Sequence, residues 1–435
     1  MDAAAPEPLA VLIGRAGAAV AGEALDLLGG GYGRRVVVIA GKGNNGADGR
    51  EAARLLRRRG AVVTVLDAAD SPRILPIADL VIDAAYGTGF RGTWDAPDPA
   101  GAPVLAVDIP SGVDATTGEA GPRALAAART ITFASLKPGQ LLGRGAELCG
   151  EVVVADIGLD ASGARAWVLE DADVGERLPR RPRDGHKWNA AVWVVAGSPG
   201  MTGAASLASR AAQRAGAGYV RLSVPGASGG DDVPVEVVGH PLGASGWAHE
   251  VLHGASRFKA LVVGPGLGRG SDEDIRQVVA GAELPVVVDG DGLTALGTDV
   301  ARFVRPETVL TPHDSEYERL AGRPVGPDRF AAARGLAASA GCTVLLKGPA
   351  TIVAEPGGRV LVVVTGDARL ATAGTGDVLS GTIAALLAGG LSSFEAAALG
   401  AHVHGLAGSA GSARGLVAGD LVERLPQVLS GLAVG

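Results

Sequence analysis

The sequence is poor in cysteine, in aromatic residues and in long apolar stretches. Its two cysteines, Cys149 and Cys342, belong to no CxxC pair, so no disulfide framework is expected and a reducing cytoplasm is favoured. Aromatic residues make up 3% of the chain and the net charge is −7, which disfavours a surface that stacks bases and binds polyanions. The uncharged run 378–394 contains Gly389 and Gly390 and predicts a buried helix, not a membrane span. We therefore expect a cytoplasmic protein without nucleic-acid or membrane partners.

Glycine, in contrast, is abundant. The chain has 68 glycines among 435 residues, about twice the usual share of roughly 7%. Because no Gly-X-Y period accompanies them, a collagen-like chain is excluded. The glycines must instead lie in turns, at helix ends, or where the backbone approaches a ligand closely.

Short β-branched runs alternate with helical patterns along most of the chain. Such alternation predicts parallel sheets covered by helices on both faces. The rhythm breaks in the polar, proline-bearing segment 171–187, which is the best linker candidate. Two α/β domains are expected, residues 1–165 and 166–435. The predicted strands are 36–40, 62–66, 80–84, 104–107, 130–133 and 151–157 in the first domain, and 192–196, 219–224, 260–263, 285–289, 309–310 and 343–346 in the second.

The first glycine loop, residues 41–46, follows a predicted strand, precedes a helix and satisfies GxGxxG. Asp67 ends the next predicted strand, where a dinucleotide-binding fold places a ribose-binding acid. A tight turn without a ligand is the simpler interpretation. Asn44, Asn45 and Asp48, however, add polar groups suited to sugar hydroxyls, amides or a cation, which a plain dehydrogenase does not need.

Two more polar clusters follow later strands. Asp83 precedes the loop Gly87-Thr88-Gly89, and Asp108 begins the segment DIPSGVD. A lone Asp after a strand is more often a helix cap. Because ligands in open α/β sheets bind at the carboxyl ends of the strands, three polar loops that converge there predict a site.

The segments AGKGNNGADG, DAAYGTGFRG, VDIPSGVD and FASLKPG together resemble the YjeF N-terminal family, the NAD(P)HX epimerases, over about residues 9–160. The resemblance implies a Rossmann-like parallel-sheet domain that binds hydrated NAD(P)H, with Asp108 our preferred acid/base. It also implies a potassium site made of Asn45, Asp83 and Ser111. The implied NAD(P)HX-binding residues are Asn44, Asn45, Gly46, Ala47, Asp48, Gly87, Thr88, Gly89, Phe90, Arg91, Gly92, Thr93 and Asp108. Ala47 departs from the family's glycine, but we still expect binding.

The second domain has three glycine loops and no GxxxxGK[ST], so Walker-type nucleotide binding is not expected. The loops are 197–204, 264–268 and 373–377. Free amides of Gly374, Thr375 and Gly376 at a helix start predict an anion hole for a phosphoryl group. Asp377 is placed to take a proton from a substrate hydroxyl. An isolated Asp there more often only complements the helix dipole.

The segments HKWNAAVWVVAGSPGMTGAA, GPGLG, LTPHDSEYERL, KGPATIVA and ATAGTGDVLSG together resemble the ADP/ATP-dependent NAD(P)HX dehydratase branch of the ribokinase-like superfamily, over about residues 166–420. The resemblance implies a ribokinase-like α/β fold with Mg²⁺ accompanying ADP. Ser315 departs from the glycine usual before Glu316. The implied NAD(P)HX-binding residues are Ala204, Gly268, His313 and Asp377, and the implied ADP/AMP-binding residues are Lys347, Gly348, Pro349, Ala350, Thr351 and Gly376.

Two histidine patterns offer metal sites as an alternative. His249 to His253 form an HExxH with Glu273 downstream, which a solvated surface helix explains without zinc. The spacing of His402 and His404 predicts opposite sides of a helix, with one of the two buried and no metal pair.

The combined resemblance implies a bifunctional enzyme that epimerises R- and S-NAD(P)HX and then dehydrates the S form with ADP, giving NAD(P)H, AMP and phosphate. We expect NADHX, NADPHX and ADP as its small-molecule partners, and a homo-oligomer. The main alternative is a ribokinase-like small-molecule kinase with an N-terminal dinucleotide-binding domain. An NAD-dependent dehydrogenase and a non-catalytic binding module remain open as further alternatives.

Overall fold

The computed structural model describes residues 7–92, 94–228 and 233–433 of the chain, so Thr93 lies outside the described residues. The chain divides into two compact units, Met1–Ala164 (unit 1) and Arg165–Gly435 (unit 2). The segment 171–187, expected to be a linker, lies inside unit 2. It begins with a capped helix, Asp171–Arg177, so the linker prediction was wrong.

Unit 1 is built on a parallel sheet of six strands in the order β2-β1-β3-β4-β5-β6. Its elements are α1 (Leu9–Leu28), β1 (Arg35–Ala40), α2 (Asn44–Arg58), β2 (Val62–Asp67), β3 (Leu80–Ala84), β4 (Val104–Val107), β5 (Arg129–Phe133), α3 (Gly143–Leu148) and β6 (Glu151–Ala155), with a 3₁₀ helix at Pro138–Gln140. β3 and β4 are buried at every position, as parallel strands covered on both faces must be.

The strand order reverses at β1, which has β2 on one side and β3 on the other. The loops that leave β1 and β3 therefore start side by side at the carboxyl edge of the sheet. A ligand crevice in an open α/β sheet forms at such a reversal.

Unit 2 contains a sheet of ten strands in the order β10-β9-β8-β11-β12-β13-β14-β15-β16-β7. Its strands are β7 (Ala166–Val168), β8 (Ala191–Val195), β9 (Tyr219–Ser223), β10 (Val238–Gly239), β11 (Ala260–Val263), β12 (Val286–Val288), β13 (Thr308–Leu310), β14 (Thr343–Leu346), β15 (Thr351–Ala354) and β16 (Val360–Val363). Its helices are α4 (Asp171–Arg177), α5 (Gly203–Arg214), α6 (Ala248–Gly254), α7 (Asp272–Gly281), α8 (Asp291–Leu296), α9 (Asp314–Ala321), α10 (Arg329–Ala340), α11 (Thr375–Ala388), α12 (Ser393–Ser409) and α13 (Ala418–Leu432).

The sheet of unit 2 is parallel from β10 to β14 and then turns antiparallel through β15 and β16. Its strand order reverses between β8 and β11, so the loops after these two strands meet. α11 and α12 are buried along most of their lengths, which explains why their sequences are apolar on all sides. The expected buried helix within 378–394 is confirmed as α11, which ends at Ala388.

Candidate active sites

A cleft of about 890 Å³ opens at the strand-order reversal of unit 1. The loops after β1 and β3 form one side of the cleft, while apolar residues of α1 and the segment after β6 form another. The lining residues include the predicted Asn44, Asn45, Asp48, Gly87, Thr88, Gly89, Phe90, Arg91 and Asp108, together with Leu9, Leu12, Ile13, Ala16, Lys42, Gly43, Ala85, Tyr86, Phe133, Lys137, Ile157 and Leu159. One polar face and one apolar face suit a ligand with sugar, phosphate and ring parts.

Asp108 lies at the end of β4 in a backbone conformation that L-residues rarely adopt, with φ of 68°. Such a conformation costs about 1–3 kcal/mol and persists only where the surroundings enforce it. Here Asp108 N donates to Ile131 O at 2.7 Å, and Gln140 Nε2 donates to Asp108 O at 2.7 Å. These bonds fix the carboxylate at the cleft wall.

Lys137 holds one oxygen of that carboxylate. Its Nζ lies 2.7 Å from Asp108 Oδ1 and also donates to Thr132 Oγ1 at 2.6 Å and to Phe133 O at 3.1 Å. The Thr132 hydroxyl lies 3.2 Å from the same Oδ1. Asp108 Oδ2 has a longer contact, 3.3 Å from Thr88 N. Oδ1 is therefore anchored, and Oδ2 is the oxygen better placed to serve a ligand.

Gln140 ties the backbones of Asp108 and Lys137 together. Its Nε2 donates to Asp108 O, and its Oε1 accepts from Lys137 N at 2.8 Å. The neighbouring position 139 requires glycine, because a Cβ there would lie 2.2 Å from Asp114 O. The short helix Pro138–Gln140 thus sets the distance between the acid and the ammonium.

Asn45 lines the cleft, and Asp83 and Ser111 are buried beside the start of the loop after β3. Asp83 is fully buried and accepts from Ser111 Oγ at 2.6 Å and from Ser111 N at 2.8 Å. Burial raises the pKa of Asp83 above its ordinary value, although the Ser111 hydrogen bonds oppose the shift. Tyr86 N donates to Ser111 Oγ at 2.9 Å, and a Cβ on the next residue, Gly87, would lie 3.4 Å from Asn45 Cγ.

The feature that fits a bound cation is the unpartnered amide group of Asn45. Its Oδ1 and Nδ2 are both buried and have no hydrogen-bond partner in the described structure. A buried polar group without a partner is costly, so it marks a place for a bound ion or water. An amide oxygen, a carboxylate and a hydroxyl are hard oxygen ligands, so the predicted potassium residues fit a monovalent cation chemically.

The first glycine loop, residues 41–46, lets backbone segments approach each other closely beside the cleft. A Cβ on Gly46 would lie 1.9 Å from Gly41 O, and a Cβ on Gly41 would lie 1.9 Å from Ala85 O. Gly46 is thus a packing glycine. Of the predicted NAD(P)HX-binding residues that the structure describes, Gly46, Ala47 and Gly92 do not line the cleft. Asp67 also lies away from it and accepts from Ala69 N at 3.0 Å, so the dehydrogenase alternative gains no support.

In unit 2, the loops after β8 and β11 touch at the strand-order reversal. Gly197 N donates to Pro265 O at 2.7 Å, and a Cβ on Gly266 would lie 3.2 Å from Ala204 Cβ. Gly268 has φ of 70°, and its N–H donates to Asp291 Oδ2 at 2.8 Å. The predicted ligand residues are thus neighbours, with Ala204 in the first turn of α5 and Gly268 in the loop after β11.

Asp377 lies in the first turn of α11, as the sequence predicts. Burial raises its pKa to about 7, with Asp289 adding to the shift, Lys347 opposing it and Glu316 adding to it. A carboxyl group with this pKa exchanges a proton near neutral pH, which a general base requires. The helix start leaves the first amides of α11 unpaired within the helix, so they are available to an anion.

Lys347 lies between two acids at the end of β14. Its Nζ is 2.9 Å from Asp289 Oδ1 and 3.5 Å from Glu316 Oε2. Burial disfavours the ammonium, yet the two carboxylates raise the pKa of Lys347 above its ordinary value. Ser380 Oγ donates to Asp289 Oδ2 at 2.9 Å and connects this cluster to α11. A fixed ammonium close to the helix start is suited to a phosphate group.

The other predicted nucleotide residues occupy the turn from β14 to β15. Arg329 donates from a guanidinium nitrogen to Lys347 O at 2.7 Å, and a Cβ on Gly348 would lie 2.7 Å from that nitrogen. Ala350 is buried and Thr351 begins β15. His313 caps α9, and its N–H donates to Glu316 Oε2 at 2.9 Å. Ser315 N donates to His313 Nδ1, so the serine at this departure from the family pattern fits the cap.

The histidine patterns do not form metal sites in the described structure. His249 and His253 lie one turn apart on α6, and Glu250 contacts His240 Nε2 at 2.9 Å instead. No group of three or more His, Cys, Asp or Glu placed for a metal ion occurs among the described residues. His402 and His404 are both buried, so the prediction that one would be buried was incomplete, because α12 packs against both α11 and the sheet.

Five residues of these clusters were missed by the sequence reasoning: Lys137, Gln140, Asp289, Glu316 and Ser380. Asp289 gives the same signal as Asp83 and Asp108, an acid at the end of an apolar strand. Lys137 lies in the segment FASLKPG, but no motif or spacing in the sequence marks it as a site residue.

Two family models match this chain. The NAD(P)H-hydrate dehydratase family matches residues 192–429, and the YjeF-related protein N-terminus family matches residues 9–75 and 69–139. The bifunctional NAD(P)H-hydrate repair enzyme Nnr of Mycobacterium tuberculosis is 42% identical over 406 residues, which cover 85% of this chain and 82% of that protein. The chain belongs to the bifunctional NAD(P)H-hydrate repair enzyme family. The resemblance drawn from the sequence segments is confirmed.

Other members and structures extend the family comparison. The repair enzyme of Moorella thermoacetica is 36% identical over 466 residues, covering 92% of this chain and 88% of that protein. A Bacillus subtilis ADP/ATP-dependent NAD(P)H-hydrate dehydratase, co-crystallised with ATP and Mg²⁺, is 29% identical with a TM-score of 0.53, covering 62% of this chain and 100% of that one.

A ribokinase-like superfamily protein from Enterococcus faecalis has a TM-score of 0.56 at 23% identity, and the match covers 64% of this chain and 100% of that one. This likeness bears on the fold alone and confirms the expected ribokinase-like α/β architecture. Within the described ranges of the chain, every helix is too short or too polar to span a bilayer.

Proposed function

We propose that the chain repairs hydrated NADH and NADPH with two sites: epimerisation of R- and S-NAD(P)HX in unit 1, and ADP-dependent dehydration of S-NAD(P)HX in unit 2. The observation that carries the proposal is that the two sets of family residues form two separate clusters in one chain, each at the strand-order reversal or helix start of its own unit. A shared substrate gives a physical reason for the fusion, because the product of one site feeds the other.

In unit 1, Asp108 is the proposed acid/base at the hydroxyl-bearing ring carbon. Lys137 and Thr132 hold Oδ1, so Oδ2 takes the proton of the substrate hydroxyl as the bond from that carbon to the ring nitrogen breaks. The proton returns to the oxygen when the ring closes again on either face of the carbon. The loop residues Asn44, Asp48 and the segment 87–93 are proposed to bind the rest of the dinucleotide, and the apolar residues of α1 to cover it. Of that segment, Thr93 stays a prediction from the family pattern.

Asn45, Asp83 and Ser111 are proposed to hold K⁺. When bound, the cation supplies positive charge beside the buried Asp83 and a partner for the Asn45 amide oxygen. The fixed charge would keep the loops after β1 and β3 in their binding conformation.

In unit 2, Asp377 is the proposed base. It takes the proton of the S-epimer hydroxyl while the oxygen bonds to the terminal phosphorus of ADP and the bond to the AMP oxygen breaks. The carbon–oxygen bond then breaks, and the phosphate leaves with the oxygen and the bonding electrons. The neighbouring ring carbon gives a proton to the departing phosphate, and the ring double bond of NAD(P)H forms. Lys347 and the amides of α11 face the developing negative charge.

The remaining residues are proposed to bind the two substrates of unit 2. Ala204, Gly268 and His313 contact NAD(P)HX, and residues 347–351 with Gly376 contact ADP. Mg²⁺ is proposed to enter with ADP and to neutralise its phosphate oxygens, as is usual for this ion. The Bacillus subtilis structure with ATP and Mg²⁺ supports a nucleotide-dependent reaction, and ADP as the natural donor stays a prediction. A cytoplasmic location and a homo-oligomer also stay predictions, the latter to be measured by sedimentation.

The test mixes both epimers of NADHX with the protein, ADP and Mg²⁺ and follows the return of the dihydronicotinamide absorbance. We expect recovery of NADH from the whole mixture, with AMP and phosphate formed in equal amounts. Absence of recovery with either ADP or ATP would contradict the proposal. A phosphorylated product that persists, seen by phosphorus NMR, would instead favour a small-molecule kinase.

A further inference from the structure

His404, in the middle of α12, contacts the first residue of the helix that carries Asp377. Its Nε2 lies 2.9 Å from Thr375 O. Because a carbonyl oxygen only accepts hydrogen bonds, Nε2 must carry the proton and donate it. Burial lowers the pKa of His404 to about 4, so the imidazole stays neutral and keeps this donor role at physiological pH.

The carbonyl that His404 holds belongs to the same peptide unit as the Gly376 N–H. The peptide group is planar and trans, so its C=O and N–H point in opposite directions and turn together. A hydrogen bond that fixes Thr375 O therefore also fixes the direction of the Gly376 N–H. This N–H is one of the first amides of α11, which have no partner within the helix.

Gly376 lies beside the charged cluster. A Cβ placed on it would lie 3.6 Å from Asp289 Oδ2 and 3.7 Å from Lys347 Nζ. The amide that His404 orients is thus close to the ammonium that faces a phosphate in the proposed reaction.

The rest of the turn is held by separate contacts. Thr375 Oγ1 donates to Leu370 O at 2.8 Å and to Thr372 O at 2.9 Å. One residue after His404, Gly405 packs so closely on Thr365 that a Cβ would lie 2.3 Å from its Oγ1. These contacts place the loop as a whole, whereas His404 contacts the Thr375–Gly376 peptide itself and adds to the hydrogen bonds within α11.

We propose that His404 is a positioning residue for phosphoryl transfer, which aims the Gly376 N–H at the transferring phosphoryl group of the nucleoside diphosphate. The inference rests on the proposed dehydratase reaction of unit 2. An amide aimed in advance stabilises charge that develops in the transition state more than it stabilises bound ADP. Loss of the aim should therefore lower kcat and leave the KM for ADP nearly unchanged.

The decisive pair of variants is His404→Phe, which fills the same space without a donor, and His404→Gln, whose amide N–H can reach Thr375 O. With S-NADHX, ADP and Mg²⁺, we expect the Phe variant to lose at least about tenfold in kcat, less than the 10²–10³-fold of losing an oxyanion donor outright. The Gln variant should keep most of the activity. His404→Asn, too short to reach the carbonyl, provides the same comparison if the Phe variant does not fold.

A matched control is His402→Phe, which removes a buried histidine two residues earlier on α12 that pairs with Asp171 at 2.6 Å. It should lower the melting temperature without lowering dehydratase kcat. Full kcat in the Phe and Asn variants of His404, or an equal loss in Phe and Gln, would overturn the proposal, since a residue that only fills the core would give those results.

A binding measurement separates this proposal from the proposed function. Calorimetry compares ADP–Mg²⁺ alone with AMP–Mg²⁺ plus aluminium fluoride, a mimic in which the fluoride takes the place of the transferring phosphoryl group. We expect His404→Phe to weaken binding of the mimic and not of ADP alone. If the wild-type protein regenerates no NADH, the proposed function fails, and the same comparison still decides the role of His404: equal binding of the mimic to both proteins would refute it.

Discussion

Lys137 Nζ lies 2.7 Å from Asp108 Oδ1 in the cleft of unit 1, and Gln140 hydrogen-bonds to the backbones of both residues. The acid of the proposed epimerase therefore does not stand alone. Its orientation depends on a cation from the loop after β5, a different strand from the one that presents the acid.

Replacement of Lys137 should slow epimerisation because Asp108 loses the partner that anchors Oδ1. We expect Lys137→Met to lower the epimerase kcat by about tenfold to a hundredfold, within the range that general acid–base groups supply. Lys137→Arg keeps the charge and should retain more activity. Interconversion of the two NADHX epimers, followed chromatographically, measures the effect, with dehydration of pure S-NADHX as the internal control. A Met variant with full epimerase activity would show that the ion pair is dispensable.

The pH dependence of dehydration should follow Asp377. Its pKa is raised to about 7, and the base acts in its ionised form, so activity should rise as the pH increases through about 7 and fall below it. A profile of kcat/KM from about pH 5.5 to about pH 8.5, which spans the titration of such a group, measures this dependence. A dehydration rate that is constant across this range would exclude Asp377 as the titrating base. The pH profile of epimerisation by the same protein is the comparison.

The first glycine loop offers a matched pair of substitutions. Gly46→Ala should cost about 1–3 kcal/mol of stability, the usual cost of overpacking, because the new Cβ would lie 1.9 Å from Gly41 O. Gly43→Ala should leave the free energy of unfolding nearly unchanged, because Gly43 has φ of −86° and open space around a Cβ. Denaturant unfolding of the two variants compares them directly. Equal stability would mean that the loop relaxes around the added methyl.

Exchange of potassium for a large organic cation such as choline should lower the epimerase activity several-fold and leave dehydration of S-NADHX unchanged. The reason is that Asn45, Asp83 and Ser111 belong to unit 1, where Asn45 lines the cleft and its amide has no partner in the described structure. Asp83→Asn removes the charge that attracts the cation, so its residual activity should no longer respond to potassium. A response of Asp83→Asn equal to that of the wild type would place the potassium effect elsewhere.

The sequence predicts the strand cores and the polar loops of this protein well, because both depend on local pattern. The predicted strands 80–84 and 104–107 coincide with β3 and β4, and most residues predicted from the loop motifs line the cleft. Hydrophobic runs and strand-end glycines carry this information without knowledge of the partner strands.

The parts that depend on distant pairing could not be predicted. β7 joins the sheet edge through Val360 and Ala166, which lie far apart in sequence, so the local pattern wrongly predicts a linker after β7. Lys137 reaches Asp108 because β4 and β5 are neighbours in the sheet. Likewise, Asp289 and Lys347 follow the ends of β12 and β14 and Glu316 lies in α9, so only the strand order brings the three together. His404 reaches Thr375 through helix packing.

The most direct test of the two-site proposal combines two variants that each lack one proposed base. With mixed NADHX epimers, ADP and Mg²⁺, Asp108→Asn should regenerate NADH rapidly from the S fraction and then stall. Asp377→Asn should regenerate none while still interconverting the epimers. The two variants mixed together should convert the whole substrate, as the wild type does. Failure of the mixture to pass the stalling point of Asp108→Asn, although both variants are folded, would contradict two independent sites that act on one substrate.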